Sequence, residues 1–113
     1  MSATAKIEEV RVVANAALGA DLVGSGEWPF GLAARANQFG VMFELHATTE
    51  DASCRQVLAT TEISAELVAR ATTAQLSAFV ARALLDPAGH LLLAYRAGEA
   101  ARYGEADAEE ESD

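Results

Sequence analysis

The residues that most often hold metals or act as nucleophiles are scarce in this chain of 113 residues. It has two histidines, His46 and His90, and one cysteine, Cys54. No His-x-x-x-His or Cys-x-x-Cys spacing places two ligands at one site. Arg55 beside Cys54 could favour a thiolate, but no histidine adjoins it. We therefore predict a protein that is not an enzyme and carries no metal and no cofactor, and an enzyme using Cys54 or His46 is the least favoured hypothesis.

Phosphate-binding features are also missing from the sequence. The glycines at positions 19, 24, 26 and 31 match neither the dinucleotide fingerprint nor the phosphate-binding loop, which also needs a lysine after its last glycine. The eight basic residues are scattered along the chain, and the net charge is −9. A nucleic acid would meet no basic cluster. We expect no nucleotide and no nucleic-acid partner.

The acidic charge is concentrated near the end of the sequence. Residues 99–113 hold seven acids and one arginine, which leaves a charge of only −3 on residues 1–98. Such a run is usually a solvated tail, although it could also dock on a basic site or act as an autoinhibitor. We predict one globular domain over residues 1–98 and a disordered acidic tail over residues 99–113.

Cysteine use indicates the cellular compartment, and the length of apolar runs indicates whether a segment could span a membrane. A single cysteine cannot form an internal disulfide, and no apolar signal segment follows Met1. The longest apolar runs, residues 79–85 and 91–95, are far shorter than the roughly 18 to 20 residues that span a bilayer. We expect a cytoplasmic protein without a membrane span.

Hydrophobic periodicity in the first half of the chain predicts a helix and a strand. Apolar residues over 6–18 follow helical spacing, with Gly19 as the expected stop. Residues 24–31 are rich in glycine and are read as a loop or an edge. Residues 41–48 alternate with the period of a strand buried on one face, and residues 55–63 are expected to pair with it in a hairpin.

The second half should contain a second helix and a closing strand. Ser64 can cap a helix that begins at Ala65, and residues 78–85 fit either its continuation or a strand. Residues 86–89 carry a type I turn signature with Pro87, and residues 91–96 read as a buried strand. The predicted fold is α+β, with an N-terminal helix, a small antiparallel sheet, a second helix packed on one face, and a closing strand or hairpin.

Two groups of residues are candidates for binding a partner. Trp28 and Phe30 lie in the glycine-bounded loop, where they either fold onto the core or anchor a partner interface. Met42, Glu44 and His46 occupy the strand face opposite the expected core face. We predict partner binding by these five side chains.

The segment ISAELVARATTAQLSAFVARALLDPAGHLLLAYR, residues 63–96, resembles the helix and closing hairpin of YbjN-like domains. The order of elements along the chain also resembles the fold shared by those domains and type III secretion chaperones. The resemblance implies a non-enzymatic protein, dimeric in solution, that binds an extended or amphipathic segment of another protein.

The leading hypothesis is therefore a chaperone-like or adaptor protein that holds a segment of a partner protein and could form a homodimer. The alternative is a small acidic inhibitor or regulatory protein, of the phage-inhibitor or antitoxin type, whose tail competes for a basic site. Loss of inhibition on removal of residues 99–113 would favour the alternative.

Overall fold

The computed structural model describes residues 3–24, 27–48 and 56–111, with side chains described to residue 98. In these described ranges, three helices and three strands follow one another in the order α1 (Ala3–Val23), β1 (Phe30–Ala36), β2 (Gly40–Ala47), β3 (Ala59–Ser64), α2 (Ala65–Arg70) and α3 (Thr73–Glu111). The predicted α+β class is confirmed. The connection between β2 and β3 includes residues 49–55, which lie outside the described residues.

Helix α1 is longer than its periodicity predicts. Val10, Ala14 and Leu18 form its buried stripe at four-residue intervals. Gly19 does not end the helix. It lies inside α1 and faces Trp28, since a Cβ there would lie 3.2 Å from Cγ of Trp28. The helix ends before Gly24, whose φ of 65° is the left-handed conformation common after a helix C-terminus.

The three strands form one antiparallel sheet in the order β1-β2-β3. The predicted strand is confirmed as β2, and Val41, Phe43 and Leu45 on its inner face are almost completely buried. The expected pairing partner is confirmed as β3. In the breaker-rich segment, residues 27–29 are irregular, and β1 begins at Phe30.

The hydrogen-bonding ladder fixes which backbone groups point out of the sheet. Thr48 N donates to Pro29 O, and Ala65 N donates to Phe39 O, each over 3.0 Å. Hydrogen-bonded and non-hydrogen-bonded pairs alternate in antiparallel sheets. The N–H and C=O groups of even-numbered residues in β1 and β3 therefore point outward, in the plane of the sheet and away from β2. The β1 edge is partly covered, because Nη1 of Arg11 donates to Leu32 O over 3.1 Å.

Both later helices begin with side-chain caps. The predicted cap at Ser64 is confirmed, since its Oγ accepts a hydrogen bond of 3.2 Å from Leu67 N. Ala71 and Thr72 are not helical and separate α2 from α3. Thr72 and Gln75 form a reciprocal capping box, with Gln75 N to Thr72 Oγ1 at 3.1 Å and Thr72 N to Gln75 Oε1 at 2.9 Å.

The predicted turn at residues 86–89 and the predicted closing strand at residues 91–96 are wrong, because both segments lie within α3. Pro87 is accommodated inside this helix. The reason is packing: a buried stripe with four-residue spacing continues through the turn signature, formed by Leu76, Val80, Leu84, Ala88 and Leu92. Burial of this stripe outweighs the local preference of Asp-Pro-Ala-Gly for a turn.

Helix α3 also continues through the boundary expected at residue 98. Its backbone is helical to Glu111, whereas the sequence predicted a disordered tail from residue 99 onward. Residues 99–111 are dominated by alanine and glutamate, which favour helix. The division of the chain into a domain and a tail stays a prediction.

The helices α1 and α3 pack side by side on the inner face of the sheet, α1 against β1 and α3 mainly against β3. They run parallel, because Lys6 donates to Val68 O just before α3, whereas Leu22 lies beside Gly89. The core between the layers is formed by the inner faces of the strands and the buried stripes of both helices. Val68 of α2 also packs against this core.

One described helical segment, Thr73–Gly98, is long and apolar enough to cross a membrane by length and composition alone. Its mean hydropathy is 1.3, and 39% of the window is buried in the protein. The sequence suggested no span because its longest apolar runs, residues 79–85 and 91–95, are far shorter than a bilayer-spanning helix. A core helix of a soluble protein meets the same criterion, and the buried stripe of α3 is consistent with that role.

Candidate functional site

Three of the five predicted partner-binding residues lie together on the outer face of β2. Met42, Glu44 and His46 alternate with the buried inner-face residues of this central strand. Met42 is half-buried, whereas Glu44 and His46 are only 8% and 7% exposed. Their side chains are therefore mostly covered by neighbours on the same face.

The cover of Glu44 and His46 comes at least in part from β1. Nε of Arg35 lies 3.4 Å from Oε1 of Glu44 in an ion pair. The His46 ring lies over Gly31, where a Cβ would approach Cε1 of the ring to 2.7 Å. Nδ1 of His46 lies 3.1 Å from Ala47 O. This arrangement leaves little of either side chain for a partner to contact.

Trp28 and Phe30 belong to the other side of the sheet. Nε1 of Trp28 donates to Oδ1 of Asn15 over 3.0 Å, and the Trp28 and Phe30 rings meet edge to face at a centroid distance of 5.2 Å. Phe30 is 3% exposed and also contacts the ring of Tyr95 at 6.2 Å. The geometry favours the loop folded onto the core, the alternative to an exposed anchor. A partner could reach Phe30 only if the core opened.

A surface absent from the sequence-based candidates lies at the end of the sandwich near the N-terminus of α1. A cleft of about 420 Å³ opens between α1, the β1–β2 turn and α2. Its lining is mainly apolar and comprises Ala3, Lys6, Ile7, Ala36, Asn37, Gly40, Val41, Ala65, Val68 and Ala69. Clefts of this size can accept apolar groups of a ligand or of another protein. We call it the end cleft.

Phe39 adjoins the end cleft and is 72% exposed, the most exposed large apolar side chain among the described residues. Its neighbours Asn37 and Gly40, and its backbone partner Ala65, line the cleft. Leu67 on α2, which is 37% exposed, adds to the exposed apolar surface of that helix. An apolar cleft beside exposed apolar side chains is typical of interaction surfaces.

The turn that carries Phe39 is held by several hydrogen bonds. Oδ1 of Asn37 accepts from Phe39 N at 2.7 Å and from Gly40 N at 3.0 Å. Phe39 O accepts from Ala65 N, which ties the turn to α2. The exposed ring therefore projects from a fixed backbone. The turn would lose little conformational entropy when a partner bound the ring.

Sequence reasoning missed Phe39 because β1 was not recognised. Without β1, residues 37–40 had no assignment as a turn. A turn signal is present in the sequence, since Asn37 stands three residues before Gly40 and a polar residue separates Asn37 from Phe39. This signal could have identified the site once the alanine-rich segment was recognised as β1.

A second groove follows the β1 edge, lined on the helix side by Glu8, Arg11 and Asn15. Nε of Arg11 donates to Oε2 of Glu8 over 3.0 Å, and Nη2 of Arg11 contacts Oε1. These hydrogen bonds lower the pKa of Glu8 and raise that of Arg11. The pair is mutually neutralised and offers no unbalanced charge to a ligand.

Within the described residues, no group of three or more His, Cys, Asp or Glu side chains could hold a metal ion. His90 is exposed on α3, and its Nδ1 lies 2.9 Å from Asp86 O. Cys54 lies outside the described residues. No protein-family model, no curated protein and no solved structure matches this chain.

Proposed function

We propose that this protein is a non-enzymatic protein-binding module that holds an apolar segment of a partner protein in the end cleft, in the manner of a chaperone or adaptor. The observation that carries the proposal is Phe39, a large aromatic side chain 72% exposed on a hydrogen-bonded turn. Aromatic residues held in this way contribute strongly to binding energy in protein interfaces.

The chemistry of the end cleft supports an apolar occupant. Ile7 and Val68 are partly exposed aliphatic residues of the lining, and the alanines of the lining leave room between them. Among the described residues of the lining, Lys6 is the one charged side chain, and it already donates from Nζ to Val68 O over 2.6 Å. A partner would therefore bury apolar side chains against the cleft, with Phe39 packing at its margin.

The proposal changes which surface is expected to bind. The outer-face residues Met42, Glu44 and His46 stay candidates from the sequence. Glu44 and His46 are almost completely covered, however, whereas Phe39 beside the end cleft is 72% exposed. Trp28 and Phe30 are left out of the proposed surface because they pack in or against the core.

The test compares three variants of the full chain in affinity capture, followed by calorimetry with the recovered partner. Phe39→Ser removes the proposed anchor, Met42→Ala probes the outer face, and Leu93→Ser is the matched control because Leu93 is 66% exposed on α3. We expect Phe39→Ser to weaken binding at least tenfold and Leu93→Ser to leave it unchanged.

Each variant should first be shown to keep its circular dichroism spectrum and its unfolding midpoint. Equal recovery of the partner by Phe39→Ser and wild type would overturn the assignment of the end cleft. Loss with Met42→Ala alone would return the binding site to the outer face of the sheet.

A further inference from the structure

The two edges of the sheet differ in whether a side chain hydrogen-bonds to their outward backbone groups. On the β1 edge, Arg11 occupies the outward carbonyl of Leu32. On the β3 edge, the outward backbone groups of Thr60 and Glu62 make no hydrogen bond with any described residue. Edge strands of soluble proteins are usually protected by charged side chains, proline, a bulge or a covering element; β3 contains neither proline nor lysine, and Glu62 is its one charged residue.

Helix α3 presents an exposed aromatic side chain on the same side of the molecule. Phe79 is 48% exposed, and with 3.6 residues per turn it lies with Ala83 on the side of α3 turned away from Leu85 and Leu92. Leu85 and Leu92 share a groove with Leu22 of α1. Because α1 packs against β1 and α3 mainly against β3, the side of α3 turned away from α1 is the side of the β3 edge.

We propose that a second copy of this chain pairs with the β3 edge, so that two three-stranded sheets join into one six-stranded antiparallel sheet. An extended peptide alone would satisfy the backbone of Thr60 and Glu62 but would leave Phe79 exposed. A second copy supplies both layers at once, a β3 edge for the sheet and an α3 surface for Phe79.

The edge is self-complementary about a two-fold axis. An antiparallel register centred on Thr61 pairs Thr60 of one chain with Glu62 of the other, so the outward groups of both chains meet. This register avoids placing the two Glu62 side chains directly opposite each other. It also brings the two α3 helices side by side, where the Phe79 side chains of both chains can be buried.

The experiment measures the mass of the full chain in solution by light scattering and its dissociation constant by analytical ultracentrifugation. Glu62→Pro removes one outward N–H without touching the β2–β3 ladder, and Phe79→Ser removes the apolar contact. Ala34→Pro makes the equivalent change on the β1 edge and is the matched control.

We expect a dimer whose dissociation constant rises at least tenfold in Glu62→Pro and in Phe79→Ser, and changes little in Ala34→Pro and Phe39→Ser. Circular dichroism identifies any variant that fails to fold, and Phe79→Ser, a surface change on a helix, then tests the interface without altering the edge. A wild-type chain that is monomeric well above micromolar concentration, or equal weakening by Ala34→Pro, overturns the proposal. Because Phe39 lies outside this interface, failure here leaves the end cleft untouched.

Discussion

Nε1 of Trp28 donates a hydrogen bond of 3.0 Å to Oδ1 of Asn15, which lies one helical turn before Gly19 in α1. The absence of a side chain at Gly19 lets the indole approach the helix backbone, since a Cβ there would lie 3.2 Å from Cγ of Trp28. Two positions of one helix thus hold the aromatic segment that leads into β1.

Trp28 should therefore stabilise the fold. We expect Trp28→Ala to reduce the free energy of unfolding by about 2 kcal/mol, since the half-buried ring loses its packing against α1 and Phe30. Trp28→Phe should cost about 1 kcal/mol, because Asn15 loses its hydrogen-bond donor. Urea unfolding measures both, and a Trp28→Ala protein of wild-type stability that has lost its partner would restore the binding role predicted from the sequence.

Pro87 distinguishes a continuous helix from the expected turn. Proline removes one backbone hydrogen bond within a helix, so Pro87→Ala should raise helical content and stabilise the protein, by up to about 3 kcal/mol. Circular dichroism during thermal unfolding provides the measurement. A lower unfolding midpoint for Pro87→Ala would instead indicate a turn at residues 86–89.

Two glycines of the sheet should respond differently to alanine. A Cβ at Gly40 would overlap the backbone carbonyl oxygen of Ile63 in β3, and the two strands would have to separate. A Cβ at Gly31 would meet the side chain of His46, whose ring can move. We expect Gly40→Ala to cost about 3 kcal/mol and Gly31→Ala about 1 kcal/mol, measured by chemical unfolding. Equal costs would contradict the close approach of β2 and β3 at Gly40.

The Glu8–Arg11 pair predicts a pH effect at the β1 edge. Hydrogen bonding from Arg11 holds the pKa of Glu8 below its ordinary value in the folded chain. The stabilising contribution is therefore complete above the unfolded-state pKa and is lost as the pH falls through the folded-state pKa. Carboxyl NMR titration should show the pKa of Glu8 rising in Arg11→Gln. The control Arg70→Gln, which breaks the separate pair with Glu66, should leave Glu8 unchanged.

The sequence predicted elements whose local pattern and packing agree. The alternation around Phe43 identified β2, and Ser64 identified the start of α2, because side-chain period and capping are local properties. It missed β1, in which four of seven residues are glycine or alanine and the strand is stabilised by pairing with β2. It misassigned residues 86–96 because the burial of Ala88 and Leu92 against distant elements decides their conformation.

The candidate site was less predictable than the fold. The alternation correctly placed Met42, Glu44 and His46 on one face, but their cover by Arg35 and by the His46–Gly31 contact depends on the β1 register. Phe39 carried no periodic signal. Its exposure follows from the turn geometry at Asn37, which only the assembled sheet defines.

The overhang of α3 beyond α1 has a hydrodynamic consequence. The radius of gyration is 17.0 Å, against about 13 Å for a compact domain of this length, and the extents are 64 × 29 × 18 Å. A monomer of this shape diffuses more slowly than a sphere of 11.8 kDa and should leave a gel-filtration column early, at the volume of a larger protein. Elution volume therefore does not distinguish an elongated monomer from the proposed dimer, so the stoichiometry has to be read from light scattering or sedimentation equilibrium.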